Sequence, residues 1–226
     1  MKMISVLFVF LIAVNVYSFP GYPSDVVTFS NKLFAKNNTC FPFTVLINEK
    51  DYEIQPGKEI DLVNVKKFDE SWWVPGLTGP MYQKTVKSPL KGKSDADSGP
   101  DSSVTHSGDN KYSYDFVVPE GTEVLAMESG VVARIVQHYE SAHQDLKLLD
   151  EVNVVEIVHE DGSYATYAHL KPASVKLKIC DKVSDEQLIG LSGHNGYSSG
   201  PHLHVSIKRP SGKGKSSSIP LRFLSR

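Results

Sequence analysis

Short apolar runs separated by turn residues recur along most of the 226-residue chain. In the first part they are VVTF, FTVLIN, YEIQ and IDLVNV, punctuated by Pro42 and Pro56-Gly57. Runs of this length, bounded by proline and glycine and rich in β-branched and aromatic residues, are typical of strands joined by tight turns. They predict a small β-sandwich domain over residues 19–87.

The second half of the chain carries longer runs of the same kind. Two of them, in NVVEIVHEDGSYATYAHL, are separated by Asp161-Gly162, a pair typical of hairpin turns. Others lie in YDFVVPEGTEVLAMESGVVARIVQH, LIGLSGHNGYSSGPHLHVSIKRP and SIPLRFL, while YESAHQDLKLLDE is expected to form one helical turn. The pattern predicts an all-β fold, with an antiparallel β-sheet domain over residues 105–226.

Two segments fall outside these predicted domains. Residues 1–18 combine Lys2 with the apolar run ISVLFVFLIAV and a cleavage point after Ser18, as in a secretory signal peptide. The run is shorter than the roughly 20 residues of a membrane-spanning helix, so cleavage is favoured over a membrane anchor. Residues 88–104, rich in Ser, Gly, Asp, Lys and Pro, are interpreted as a solvated linker. We therefore expect a periplasmic or secreted mature protein without a membrane span.

The net charge and the cysteine content indicate which partners and which cysteine pairing to expect. The formal net charge of -2 gives no indication of a nucleic-acid partner. The chain has two cysteines, Cys40 and Cys180, and an exported protein is permitted to pair them. Two alternatives remain open for these cysteines: one disulfide between the two predicted domains, or two free buried thiols. The sequence indicates no oligomeric state.

Two histidines lie one residue apart in GPHLHVSI, residues 200–207. Side chains at i and i+2 of a strand point to the same face, so His202 and His204 are expected to project together, away from Leu203 and Val205. Such a pair is consistent with a metal site, with a catalytic pair, or with two ordinary histidines on an edge strand.

Three further residues extend this set of candidates. His169 ends the run YATYAHL, where alternation places it on the face of Ala165 and Tyr167. His106 and Asp115 precede the strand FVVPEGT. The remaining histidines, His138, His143, His159 and His194, are expected at the surface.

A hydrolytic zinc site needs three protein ligands, an open position for water and nearby groups that move protons. Histidine nitrogen and carboxylate oxygen both suit zinc. His106, Asp115 and one histidine of the HLH pair are the candidate ligands. The other histidine of the pair and His169 are candidates for proton transfer and charge stabilisation.

The residues around these histidines resemble a known family. SGPHLHVSI, preceded by IGLSGHNGYS, is similar to the GPHLHFE signature of the lysostaphin-type (LytM-type) zinc endopeptidases of peptidoglycan. HSGDNKYSYDFVVPEGTEVLAMESGVV and NVVEIVHEDGSYATYAHL resemble two more segments of that family, in the same order, so that the resemblance covers nearly all of residues 105–226. It implies an antiparallel catalytic domain of the duplicated hybrid motif type.

The resemblance also implies roles for individual residues. His106, Asp115 and His204 match the three zinc ligands, and His169 and His202 match the two catalytic histidines. Many members place the aspartate four residues after the first histidine, whereas the gap here is nine, which leaves Asp109 as an alternative ligand. The turn from Cys180 to Gln187 lacks two glycines of the family pattern.

The resemblance implies a zinc-dependent hydrolase acting on the peptide stems or bridges of peptidoglycan, of the DD-endopeptidase or the glycyl-glycine type. Two other functions stay open, because fold alone does not decide function. One is a non-catalytic binding or signalling protein, which a zinc closed by four protein ligands would favour. The other is an elastase-like protease. The N-terminal domain is interpreted as a helper that positions the enzyme, with coverage of the groove as the alternative.

Overall fold

The computed structural model describes residues 27–29, 34–47, 50–61, 72–213 and 215–226, so the predicted signal peptide lies outside the described residues. Within them the chain forms nineteen strands and three short 3₁₀ helices, and it shows no α-helix. No helix among the described residues is long and apolar enough to cross a membrane. The prediction of an all-β fold is confirmed.

The first seven strands form small sheets of two or three strands. Their bounds are β1 Val27–Phe29, β2 Phe34–Asn37, β3 Phe43–Ile47, β4 Lys50–Ile54, β5 Glu59–Asp61, β6 Trp72–Pro75 and β7 Lys84–Lys87. One sheet has the order β1-β2-β5 and a second the order β4-β3-β6, both antiparallel. The last of these strands, β7, pairs elsewhere.

The remaining elements build the larger part of the molecule. The strands are β8 Ser113–Val117, β9 Glu123–Leu125, β10 Gly130–Val136, β11 Ala142–His143, β12 Val154–Val158, β13 Tyr164–Ala168, β14 Lys182–Val183, β15 Leu188–Leu191, β16 Gly196–Tyr197, β17 His202–Gly212, β18 Lys215–Ser218 and β19 Leu221–Leu224. The 3₁₀ helices are η1 Val104–His106, η2 Gly108–Asn110 and η3 Leu146–Leu148. The last is the helical turn expected from the sequence.

A seven-stranded antiparallel sheet is the centre of this part. Its order is β14-β10-β12-β13-β17-β18. Strand β8 is the seventh strand, and it pairs with the first half of β17 along the same edge that β18 occupies further on. The hairpin β12–β13 turns at Asp161-Gly162, where Gly162 has a φ of +81°. Glycine takes that backbone conformation without the steric cost that a Cβ brings. The predicted hairpin is confirmed.

One face of this sheet forms the hydrophobic core. Phe116, Ala165, Tyr167, Leu203 and Val205 are completely buried there. Because β17 alternates, His202 and His204 lie on the opposite face, as the sequence predicts. That opposite face is the floor of the candidate site.

The segment interpreted as a solvated linker packs against this part of the molecule. Just before it, strand β7 pairs in parallel with the C-terminal strand β19. Within it, Leu90 belongs to the core cluster with 1% of its surface exposed, and Ser98 pairs with Asp115 in an isolated bridge. Apolar side chains buried to this degree hold the chain in place through the hydrophobic effect. The domain boundaries at residues 87 and 104 stay a prediction, but the chain between them is not a free tether.

The N-terminal part contacts the far end of the large sheet. The backbone N–H of Leu77 donates to the carbonyl of Gly162 at 2.9 Å, and the Arg209 guanidinium donates to the carbonyl of Leu77 at 3.4 Å. A Cβ on Gly76 would lie 2.2 Å from the Gly162 oxygen, so the two turns approach too closely for a larger residue. These contacts lie at the hairpin turn, away from His204.

A disulfide joins the two parts. Cys40, between β2 and β3, is bonded to Cys180, which precedes β14, across 140 positions of the sequence. Of the two alternatives for these cysteines, the structure shows the bonded one. A bond that closes so long a loop removes much conformational freedom from the unfolded chain.

We expect the double substitution Cys40→Ser and Cys180→Ser to lower the free energy of unfolding by about 2–5 kcal/mol, because the loop constraint is lost. Equilibrium unfolding in urea measures this difference. The wild-type chain kept in reductant is the control and should unfold at the midpoint of the variant. Equal midpoints for the variant and the oxidised wild type would contradict the expectation.

Candidate metal centre

Three side chains from separate segments meet on the open face of the large sheet. The Nε2 atom of His106 lies 3.1 Å from Asp115 Oδ1 and 3.3 Å from His204 Nδ1, and His204 Nδ1 lies 2.8 Å from Asp115 Oδ1. Among the described residues this is the one group of three or more His, Cys, Asp or Glu side chains whose ligand atoms all lie within 4.8 Å of one another. The structure thus brings together the three ligands predicted from the sequence.

Backbone pairing places two of the three. Asp115 on β8 lies directly opposite His204 on β17 in the antiparallel register. Opposed residues in such a pair have Cβ atoms about 4.5–5.5 Å apart, so their side chains meet on the same face. His106, the last residue of η1, reaches the pair from the turn before β8 and is completely buried.

The geometry of the three atoms fits a zinc ion. Tetrahedral zinc binds its nitrogen and oxygen ligands at about 2.0–2.1 Å, which separates neighbouring ligand atoms by about 3.3 Å. The separations here are 2.8–3.3 Å. Two imidazole nitrogens and one carboxylate oxygen are also the donor types that zinc accepts.

Hydrogen bonds orient two of these ligands. The Nδ1 atom of His106 lies 3.0 Å from the carbonyl oxygen of Gly99, which can only accept, so we assign the proton to Nδ1 and a lone pair to Nε2. The hydroxyl of Ser98 donates to the second oxygen of Asp115 at 3.1 Å. Such outer hydrogen bonds fix the ring and carboxylate orientation that a metal requires.

The charges of the three groups are strongly coupled. Burial by itself raises the pKa of Asp115, but the adjacent His106 and His204 rings outweigh it and hold the pKa well below its usual range. Burial lowers the pKa of His204, whereas for His106 the neighbouring Asp115 carboxylate outweighs burial and raises the pKa. Asp115 is therefore ionised at neutral pH, as a metal ligand must be.

The two remaining candidates lie beside this cluster. The ring centroids of His169 and His202 are 4.3 Å apart, and His202 Nε2 lies 3.9 Å from Asp115 Oδ1. His169 Nδ1 lies 2.6 Å from the carbonyl oxygen of Asn195, and His202 Nδ1 lies 2.8 Å from that of Gly200. Because both carbonyls only accept, each ring carries its proton on Nδ1 and keeps Nε2 as a proton acceptor.

His169 reaches this position in a way that strand alternation does not predict. The expectation that it shares a face with Ala165 and Tyr167 is wrong, because both of those residues lie in the core on the other face. Strand β13 ends at Ala168, and His169 has a φ of +62°. This left-handed conformation, uncommon outside glycine, ends the alternation and lets the ring face the cluster.

The environment of His169 keeps it neutral. It is 8% exposed, and burial lowers its pKa to about 3, with the nearby His202 and His204 rings acting in the same direction. An imidazole with so low a pKa accepts a proton only in concert with a reaction that drives the transfer.

The other candidates lie elsewhere. Asp109, the alternative ligand, accepts a hydrogen bond from Ser217 at 2.9 Å and does not belong to the three-residue group. His138 is exposed, as expected, whereas His143 and His194 are partly buried. The expectation of a surface position is wrong for His159, which is 3% exposed and faces the carbonyl of Ser129 with its Nδ1.

Sequence reasoning missed three residues that support the cluster. Ser98 and Gly99 lie in the segment interpreted as a linker, and Asn195 follows His194 in a glycine-rich turn. Asn195 is completely buried, and its side chain bonds the backbone of Asn153 and Leu170. A polar residue inside a turn signals a loop in sequence, and its burial becomes visible only once the loops are packed.

The cluster lies at one side of an open groove that follows strands β12, β13 and β17. Its lining residues are Val104, Thr105, Asn110, Arg134, Leu149, Asp150, Val152, Val154, Glu156, Thr166, Ala168, His169, Tyr197, His202, His204, Ser206 and Lys208. No described residue before Val104 lines it. In the part of the chain that the structure describes, the N-terminal strands therefore do not cover the groove.

Comparisons with known proteins show which family and which proteins this part of the chain is similar to. The model of Peptidase family M23 matches residues 109–218. Over 118 residues the chain is 33% identical to the glycyl-glycine endopeptidase ALE-1 of Staphylococcus capitis, covering 52% of this chain and 30% of that protein. Over 93 residues it is 36% identical to the peptidoglycan DD-endopeptidase ShyA of Vibrio cholerae, covering 41% of this chain and 19% of that protein.

Among solved structures, the catalytic domain of lysostaphin from Staphylococcus simulans matches with a TM-score of 0.40 and 25% identity, over 54% of this chain and 83% of that one. The chain spans less than a third of the length of the curated relatives it matches.

We expect His106→Ala, Asp115→Ala and His204→Ala each to weaken zinc binding at least about 100-fold, because each removes one of the three ligand atoms. Zinc content after gel filtration and competition with a chelator measure the loss. The variant Asp109→Ala is the matched control and should keep wild-type zinc content. Retained zinc in the Asp115 variant and lost zinc in the Asp109 variant would reverse the assignment.

In the metal-free protein, His169 should stay neutral with its proton on Nδ1 from pH 8 down to about pH 4, because its folded pKa of about 3 lies below the unfolded value. Its contribution to stability is then complete above the unfolded pKa and is lost as pH falls below it. Nitrogen-15 chemical shifts of the ring measure both the charge and the tautomer. A protonation midpoint near pH 6.5 would contradict the assignment.

Proposed function

We propose that the protein is a zinc-dependent endopeptidase that hydrolyses peptide cross-links of bacterial peptidoglycan, and the match of residues 109–218 to the model of Peptidase family M23 supports this proposal. The observation that carries the proposal is the convergence of His106, Asp115 and His204 beside His169 and His202. Two of the relatives are named for endopeptidase activity, one on glycyl-glycine bonds and one on peptidoglycan.

In this proposal His106, Asp115 and His204 hold the metal. A zinc ion bound there would supply a Lewis acid that polarises the substrate carbonyl and lowers the pKa of water. Three protein ligands, rather than four, come together among the described residues, which is the pattern of catalytic rather than structural zinc sites. The same count argues against a purely structural metal in a binding or signalling protein.

His169 and His202 carry out the proton transfers. Each ring is held through Nδ1–H by a backbone carbonyl, and each keeps an unprotonated Nε2. One ring accepts the proton of the attacking water at Nε2, hydrogen-bonds the developing oxyanion through that proton and then delivers it to the leaving amine. The Nε2 atom of the other ring accepts a hydrogen bond from the same water and orients it. Because the Ser198 hydroxyl also contacts His202 Nδ1 at 3.2 Å, the His202 ring has a second group that limits its rotation.

The proposed location is outside the cytoplasm. The predicted signal peptide over residues 1–18 directs export, and the Cys40–Cys180 disulfide is stable in an oxidising compartment. Both features agree with action on a cell wall, in the periplasm or after secretion.

Zinc-loaded protein incubated with purified peptidoglycan should create new amino termini in peptide stems or bridges, detected by mass spectrometry. We expect His169→Ala and His202→Ala to lower kcat by about 100- to 10,000-fold, since each removes a proton-transfer group. Zinc content should stay unchanged in both. His138→Ala, at an exposed histidine, is the control and should keep wild-type activity.

Two results would argue against the proposal. If fully zinc-loaded protein cleaves no peptidoglycan, the binding or signalling function gains support. If it cleaves glycine-rich proteins but not peptidoglycan, the elastase-like function does.

A further inference from the structure

The floor of the groove continues beyond the metal cluster along β17. His204, Ser206 and Lys208 lie on the same face, and they pair across to Ala168, Thr166 and Tyr164 on β13. Two residues of a strand advance about 6.6–6.8 Å, so the backbone of Lys208 lies about 13 Å from that of His204. The groove can therefore accommodate an extended peptide that reaches both residues.

Lys208 carries a charge that the protein leaves without a close partner. Among the described residues its ammonium makes no ion pair within 4.0 Å and no hydrogen bond. Burial lowers its pKa, and the more distant Glu156 carboxylate opposes that change. A partly buried ammonium without a paired anion is an unfavourable arrangement that a bound carboxylate would relieve.

The neighbouring charges do not supply that anion. Glu156 is buried and pairs with Arg134, whose Nη1 lies 3.3 Å from its Oε1. Asp109 accepts a hydrogen bond from Ser217, although its charge still acts on Lys208 at longer range. Neither carboxylate therefore forms a close pair with Lys208.

Two hydroxyls on the same floor are also without partners. The buried Oγ1 of Thr166 and the buried Oγ of Ser206 form no hydrogen bond in the structure. Ser206 lies between His204 and Lys208 on β17, and Thr166 is its cross-strand neighbour. Unsatisfied buried polar atoms in a native structure need an explanation, such as a bound water, an ion or a functional role.

We propose that Lys208, beside Thr166 and Ser206 on the groove floor, forms a subsite, the Lys208 subsite, which binds a free carboxylate of the substrate. The inference rests on the proposed function and names the substrate class: acidic stem peptides, in preference to neutral oligoglycine bridges. At about 3.3 Å for each residue of an extended peptide, the carboxylate lies two to four residues from the scissile bond. Lys208 is thus a specificity-determining residue that contacts the substrate.

The test compares two cross-linked stem peptides that differ only in this group, one with the free carboxylate and one with the carboxamide. We expect the full-length zinc-loaded protein to cleave the carboxylate form with a kcat/KM at least about tenfold higher, the size of one charge-assisted hydrogen bond. Lys208→Met should abolish this preference by raising KM for the acidic peptide alone. Lys208→Arg, which keeps the charge, should retain it, and Lys215→Met, at an exposed lysine of β18, is the matched control.

A binding measurement separates this inference from the proposed function. Calorimetry with the slowly reacting His202→Ala protein should show the acidic peptide binding about tenfold more tightly than its carboxamide, and Lys208→Met should remove the difference. Equal cleavage or equal binding of the two peptides overturns the subsite while leaving the endopeptidase intact. Binding preference without any cleavage by the zinc-loaded wild type supports the subsite and overturns the proposed endopeptidase.

Discussion

The pairing of β8 with β17 is the constraint on which the candidate site depends. Its register sets Asp115 opposite His204 and Phe116 opposite Leu203, so one ladder of backbone hydrogen bonds positions the ligands and fills the core. A slip of one residue would exchange the two faces of the strand, burying charge and exposing apolar surface. The free energy of core packing therefore also holds the ligand atoms in place.

Loops around this ladder complete the site by holding histidine rings through backbone carbonyls. Gly99, Asn195 and Gly200 each accept from an Nδ1 atom, and each lies in a different loop. Because each Nδ1–H donates to an uncharged backbone carbonyl, all three rings have the Nδ1–H tautomer. Their Nε2 atoms therefore stay available to bind a metal or to accept a proton. It also explains why the segment 88–104 is packed: Gly99 and Ser98 must lie against His106 and Asp115.

The groove has a rigid floor that extends from the metal cluster to Lys208. The floor is a sheet whose strands are fixed by the core on their other side, so the distance from the metal cluster to Lys208 is set by strand geometry. The N-terminal strands contact this sheet at the Asp161-Gly162 turn and are tied to it by the Cys40–Cys180 disulfide. A substrate would therefore meet a preformed surface.

The sequence by itself determined the strands, the hairpin at Asp161-Gly162 and the shared face of His202 and His204, because these follow from alternation and turn chemistry within a few residues. The resemblance added the individual roles of the five candidate site residues, which local patterns could not assign. Only the tertiary structure decided the left-handed turn at His169, the burial of Leu90 and His159, and the carbonyl partners of the rings. Those features arise from contacts between segments far apart in the chain, where packing overrides local preference.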